Sequence, residues 1–118
     1  MIAKNQTDVP IQPVKMEGAK DVGIQVLISD VDAAPNFAMR RFTVAPGGHT
    51  PHHTHDNEHE VFVLSGEGTL VFDGEEYPLH PGSFALVDPG VIHQFRNAGD
   101  ENFVFLCVVP IETKHSEK

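Results

Sequence analysis

A chain of 118 residues is sized for one domain with a single modest core. Eight Lys and Arg against seventeen Asp and Glu leave a net charge of −9, which repels nucleic-acid phosphates and anionic lipid surfaces, so neither is expected as a partner. Cys107 is the lone cysteine, which excludes an internal disulfide; with a polar stretch at residues 4–8 in place of a signal-peptide segment, and no apolar run long enough for a bilayer, a cytoplasmic location is expected.

Residues 1–22 carry Pro10 and Pro13 and no clear periodicity, and they read as an arm. It contributes an edge strand, where proline is tolerated, either to its own sheet or by exchange with a second subunit. From Gly23 to residue 112, short β-branched and aromatic runs alternate with turn chemistry, which predicts strands over 24–29, 36–45, 60–64, 68–73, 76–79, 83–87, 92–96 and 102–109. Asp73-Gly74 is a hairpin signal because both central positions of a type I′ turn need positive φ. Pro46-Gly47-Gly48, Pro81-Gly82 and Pro89-Gly90 mark further reversals. Helical spacing of apolar residues is absent, so the class is all-β, an antiparallel sandwich or small barrel. Residues 113–118 read as a flexible tail. The strand at 102–109 is apolar on both faces, with Phe103, Phe105, Cys107 and Val109 on one and Val104, Leu106 and Val108 on the other. Its outer face needs a cover, either the arm or a second subunit, and a homodimer is expected.

Five of the eight histidines (His49, His52, His53, His55 and His59) fall within eleven residues. His53 and His55 share a face of an extended segment, His59 opens the next strand, and His93 follows the Pro89-Gly90 turn in a separate strand. Imidazoles in such numbers suit a mid-series divalent cation such as Zn, Cu, Fe, Ni or Mn. On the cluster alone, a metal centre and a set of solvated loop histidines are both open.

The flanking glycines narrow the choice. Gly47-x5-His53-x-His55-x3-His59-x6-Gly66 resembles the first cupin motif, G-x5-H-x-H-x3,4-E-x6-G, and Gly82-x5-Asp88-x-Gly90-x2-His93-x3-Asn97 resembles the second, G-x5-P-x-G-x2-H-x3-N. Asp88 replaces the motif's proline, with Pro89 one place later, and His59 replaces its glutamate. Glu60 is the alternative fourth ligand, but the cupin ligand at this place is typically followed by x-x-aromatic-Val-Leu-x-Gly, a pattern that Phe62-Val63-Leu64-Ser65-Gly66 resembles when read from His59, and parity puts Glu60 on the opposite face. The sequence therefore resembles the small single-domain, four-histidine cupins. That likeness implies a double-stranded β-helix, a jelly-roll-like antiparallel barrel. It also implies one divalent metal ion on His53, His55, His59 and His93, with Mn first, then Fe, and Zn, Ni or Cu as purified.

Four neutral ligands leave the full charge on the ion and attract anionic ligands, and an octahedral ion would keep two open positions. A closed tetrahedral zinc site is the structural alternative. Glu58 and Asn97 are candidates to orient the ligand histidines, Asn97 equally as a turn residue. Arg40 and Glu58 are the candidate catalytic residues; Arg40 either faces inward and guides an anion or lies on the surface. Phe105 and Cys107 share a face and are candidate pocket-lining residues. His49, His52, His80 and His115 read as solvated or structural. No lysine lies between Asp21 and Thr113, and Arg40, Arg41 and Arg96 are the arginines there, which disfavours a phosphorylated substrate. The expected function is a metal-dependent oxidoreductase of the dioxygenase kind acting on a small apolar or enolisable molecule. The alternative is a non-catalytic cupin that captures a small ligand or carboxylate.

Overall fold

A computed structural model describes residues 1–111, so the expected tail at 113–118, with His115, lies outside the described residues. All the strands pair antiparallel: β1 (Gln12–Pro13), β2 (Lys20–Ile28), β3 (Phe37–His49), β4 (His59–Ser65), β5 (Gly68–Phe72), β6 (Glu75–Leu79), β7 (Phe84–Val87), β8 (His93–Asn97) and β9 (Phe103–Pro110). Each of the eight strands expected after residue 23 is present. Two short 3-10 turns, Gln6–Asp8 and Asp30–Asp32, carried no signal in the hydrophobic pattern.

The strands run in the order β6-β5-β8-β3-β9-β4-β7, with β2 on the other side of β3 and β1 beyond it. Strand β3 joins the two halves of this nearly closed barrel. Its first eight residues pair with β9 (Phe37↔Pro110 to Val44↔Phe103), and its last residue reaches β8 (His49↔Arg96). Pro46-Gly47-Gly48 therefore does not reverse the chain as expected; it lies within one strand that runs from one half of the barrel into the other. Gly47 takes φ +82, and a Cβ on Gly48 would come 2.6 Å from the Lys20 carbonyl oxygen. Asp73-Gly74 does form the tight hairpin, with φ of 55 and 75, closing Phe72 against Glu75.

Alternation along each strand decides what enters the barrel. Val44, Val61, Val63, Phe95, Phe103, Phe105 and Cys107 form its buried core. Phe103 lies face-on to Gly68, where an added Cβ would sit 2.3–2.5 Å from three ring atoms. The opposite face of β9 has Val104 buried and Leu106 and Val108 half-buried, beside Phe62 and Phe84, which are 47% and 81% exposed. The arm covers another part of that outer surface. Gln25 Nε2 donates to the carbonyls of Gln6 and Val9, and Arg41 Nη1 donates to Gln25 Oε1. Strand β1 pairs with β2 of its own chain.

Candidate metal centre

The four histidines expected to bind metal come from three parts of the chain. His53 and His55 sit on the extended segment after β3, His59 is the first residue of β4, and His93 is the first residue of β8. The His53 and His93 backbones exchange hydrogen bonds of 3.1 and 3.0 Å, and the Gly90 amide donates to the His55 carbonyl at 2.8 Å. The Pro89-Gly90 turn is thus tied to the histidine segment before any side chain is considered.

Candidate ligand nitrogens of His53, His55 and His93 lie within 4.8 Å of one another. His59 stands outside that tight group but beside it, its ring centroid 4.2 Å from His55 and 5.7 Å from His93. His59 and His93 are buried, and His53 and His55 are half-buried. Glu60, by contrast, is exposed, so the strand's alternation turns the competing carboxylate away from the imidazoles.

Hydrogen bonds orient two of the rings. His93 Nδ1 lies 2.9 Å from the Val91 carbonyl, which makes it the protonated nitrogen and leaves Nε2 as a lone-pair donor. His59 Nδ1 lies 3.3 Å from Cys107 Sγ, itself 3.3 Å from Arg40 Nη2. Burial, then the neighbouring His55 and Arg40, pushes His59 down to about 3. Burial, then His53 and His93, pushes His55 down to about 4, and burial followed by His93 lowers His53. Neutral, partly desolvated imidazoles with one nitrogen capped are the donor set that a divalent transition ion takes. These residues fit such an ion.

All four histidines line a cavity of about 180 Å³. Arg40, Phe105 and Cys107 line it. Phe105 is the centre of an aromatic stack, with Phe42 at 5.3 Å and Phe95 at 4.8 Å. Burial pushes the Cys107 thiol up, partly offset by Arg40. Glu58 does not reach the cavity. Its side chain is exposed, and a hydrogen bond with Glu60 raises its carboxyl above the usual range. Asn97 is a turn residue, its amide donating to Val44 and Glu101 and its oxygen accepting from the Gly99 amide. His80 pairs with Glu67 on the surface, His52 is exposed, and His49 contacts Thr50 and Gln94.

Several lining residues lie outside the candidates that the sequence offers. Phe95 was within reach, since it is two residues from His93 on the same face. Val14 and Met16, from the arm, close one side of the cavity, and no local pattern marks them.

The profile of the cupin domain matches residues 40–109, more than half of the chain. The chain belongs to the cupin family. Among cupin relatives, the oxalate-binding protein of Thermotoga maritima is 29% identical over 113 residues, covering 92% of this chain and 93% of that protein. The L-ectoine synthase of Vibrio campbellii is 30% identical over 86 residues, 72% of this chain and 66% of the synthase. Among solved structures, the polyketide cyclase RemF from Streptomyces resistomycificus superposes with a TM-score of 0.89 at 35% identity, covering 95% of this cupin and 80% of the cyclase.

Proposed function

We propose that this cupin holds one divalent metal ion, manganese or iron, on His53, His55, His59 and His93, and acts on a small enolisable molecule in the adjoining cavity. The observation that supports the reading is that candidate ligand nitrogens of His53, His55 and His93 lie within 4.8 Å of one another, with the His59 ring beside them, and that all four residues line one mainly apolar cavity. A bound ion would supply Lewis acidity and, for manganese or iron, redox capacity. The chain supplies the rest. The Val91 carbonyl and the Cys107 sulfur hold the Nδ1 atoms of His93 and His59 so that their Nε2 atoms serve as donors. Phe42, Phe95 and Phe105 give the substrate a dry wall, and Met16 and Val14 add apolar lining from the arm.

The first reading of the chemistry is oxidative, of the dioxygenase kind, because a neutral ligand set favours the reduced divalent ion. A redox-neutral ring closure is the second, supported by the likeness to a polyketide cyclase over 95% of the chain. Non-catalytic capture of a dicarboxylate is the third, supported by the relative named as an oxalate-binding protein. The arm at 1–22 and the barrel at 23–112 act as one unit in this proposal, and a second copy covers the apolar strip around Phe62 and Phe84.

Protein stripped of metal and reloaded with Mn(II) or Fe(II) is tested by elemental analysis and with an oxygen electrode, using pentane-2,4-dione as the enolisable probe. One ion per chain and oxygen uptake that needs both ion and probe are the expected results. Less than half an ion per chain overturns the metal reading. Full loading without oxygen uptake overturns the oxidative reading.

A further inference from the structure

The cavity has an electrostatic asymmetry that its metal ligands do not explain. The chain carries seventeen acidic residues, yet among the described residues no Asp or Glu lines the cavity, while Arg40 does. Among the described residues, the side-chain ion pairs are His80–Glu67 and Arg96–Glu76, both on the surface, so Arg40 has no carboxylate partner. Arg40 Nη2 donates to Cys107 Sγ at 3.3 Å, and sulfur is a weak acceptor. Its Nε is buried with no acceptor, and its carbon lies 5.2 Å from the Phe42 ring centroid. Arg41, one residue on, has a buried Nε without an acceptor as well, but it faces the other side of β3, donates to Gln25 and does not line the cavity, so Arg40 is the arginine within reach of a ligand there. A partly desolvated guanidinium with unmet donors is costly, and an anionic oxygen is the group that relieves the cost.

We propose that Arg40 is the anion-binding residue of the cavity, so that the ligand is a small carboxylate or enolate carrying an apolar body. This rests on the reading above that the cavity is the ligand site. The planar guanidinium presents a fork that matches two oxygens on one sp² carbon, or on a conjugated pair of carbons. Phe42, Phe95 and Phe105 receive the apolar remainder. One guanidinium without a lysine suits a monoanionic head, and a phosphoester, with its greater charge, finds no second cation among the residues lining the cavity.

The test compares benzoate with benzamide, which share shape and differ in charge, by calorimetry on metal-free and on Co(II)-loaded full-length protein. Benzoate is expected to bind at least about ten-fold more tightly than benzamide in either form, as a charge-assisted contact requires. Arg40→Gln is expected to erase most of that preference, and Arg40→Lys, which keeps the charge, to retain part of it. Circular dichroism checks that the variants fold; where Arg40→Gln does not, the wild-type ratio decides. Equal binding of the two probes, no binding of either, or an Arg40→Gln effect that is the same on both overturns the proposal. A benzoate preference in protein that takes up no Co(II) leaves the Arg40 assignment standing and removes the metal reading instead.

Discussion

His55 makes the two shortest contacts among the clustered rings, stacked at 4.2 Å on His59 and edge-on at 4.2 Å to His53. Its replacement should therefore weaken any ion more than loss of an outer hydrogen-bond partner does, which costs roughly 10–100-fold. His55→Ala is expected to lower Mn(II) affinity by more than 100-fold, read by calorimetry, while the metal-free melting temperature stays close to wild type because His55 is only half-buried. Protonation gives a second expectation. The unfolded chain protonates its histidines around the ordinary value of 6.5, whereas folded His55 and His59 stay neutral down to about 4 and 3. Between those limits the unfolded state binds more protons, so metal-free protein loses stability as pH falls below 6.5, and the loss from these two groups is complete near 3. Urea midpoints at pH 7.5, 6 and 5 should decline in that order, with a shallower decline in His55→Gln; a flat profile would contradict it. The distinction between His59 and Glu60 was legible from period-two alternation, because strand geometry is local. The contacts of Arg40 and Cys107 were not, since they face each other across a register set by two strands 67 residues apart.

Turns and faces explain why the elements are where they are. Gly68 opens β5 directly under the Phe103 ring, so even one methyl group there has no space. Gly68→Ala is expected to destabilise the fold by about 1–3 kcal/mol, the usual cost of overpacking a tight core, as measured by chemical denaturation. The Asp73-Gly74 hairpin was readable because the sequence need and the turn conformation are the same local fact. Pro46-Gly47-Gly48 carries turn chemistry without a reversal for an equally physical reason. Positive φ at Gly47 and the missing side chain at Gly48 serve a bend as well as a reversal, and only the pairing of His49 with Arg96 shows which one occurred. Met16 and Val14 illustrate the same limit. Their place at the cavity comes from Val14 donating to Val22 across the β1–β2 pairing, not from any pattern in the arm.

The whole molecule presents an outer strip in which Phe84, Leu86 and Phe62 are 81%, 58% and 47% exposed, running onto Leu106. An apolar strip of that kind on a chain of net charge −9 is costly to leave in water, and the proposed cover is a second copy. Light scattering at micromolar concentration is expected to give twice the mass of the chain, and Phe84→Asp to shift it to the monomer; a wild-type monomer would remove the proposal. Length, charge, strand number and sense, and the histidines worth watching were all determined by the sequence, because alternation and turn preference act over a few residues. The tertiary structure alone decided that β3 spans both halves of the barrel, that Val14 and Met16 of the arm line the cavity, and that Arg40, with no carboxylate partner among the described residues, lines it with the imidazoles. Those features depend on contacts between residues far apart in the chain, where burial and pairing, rather than local preference, set the free energy.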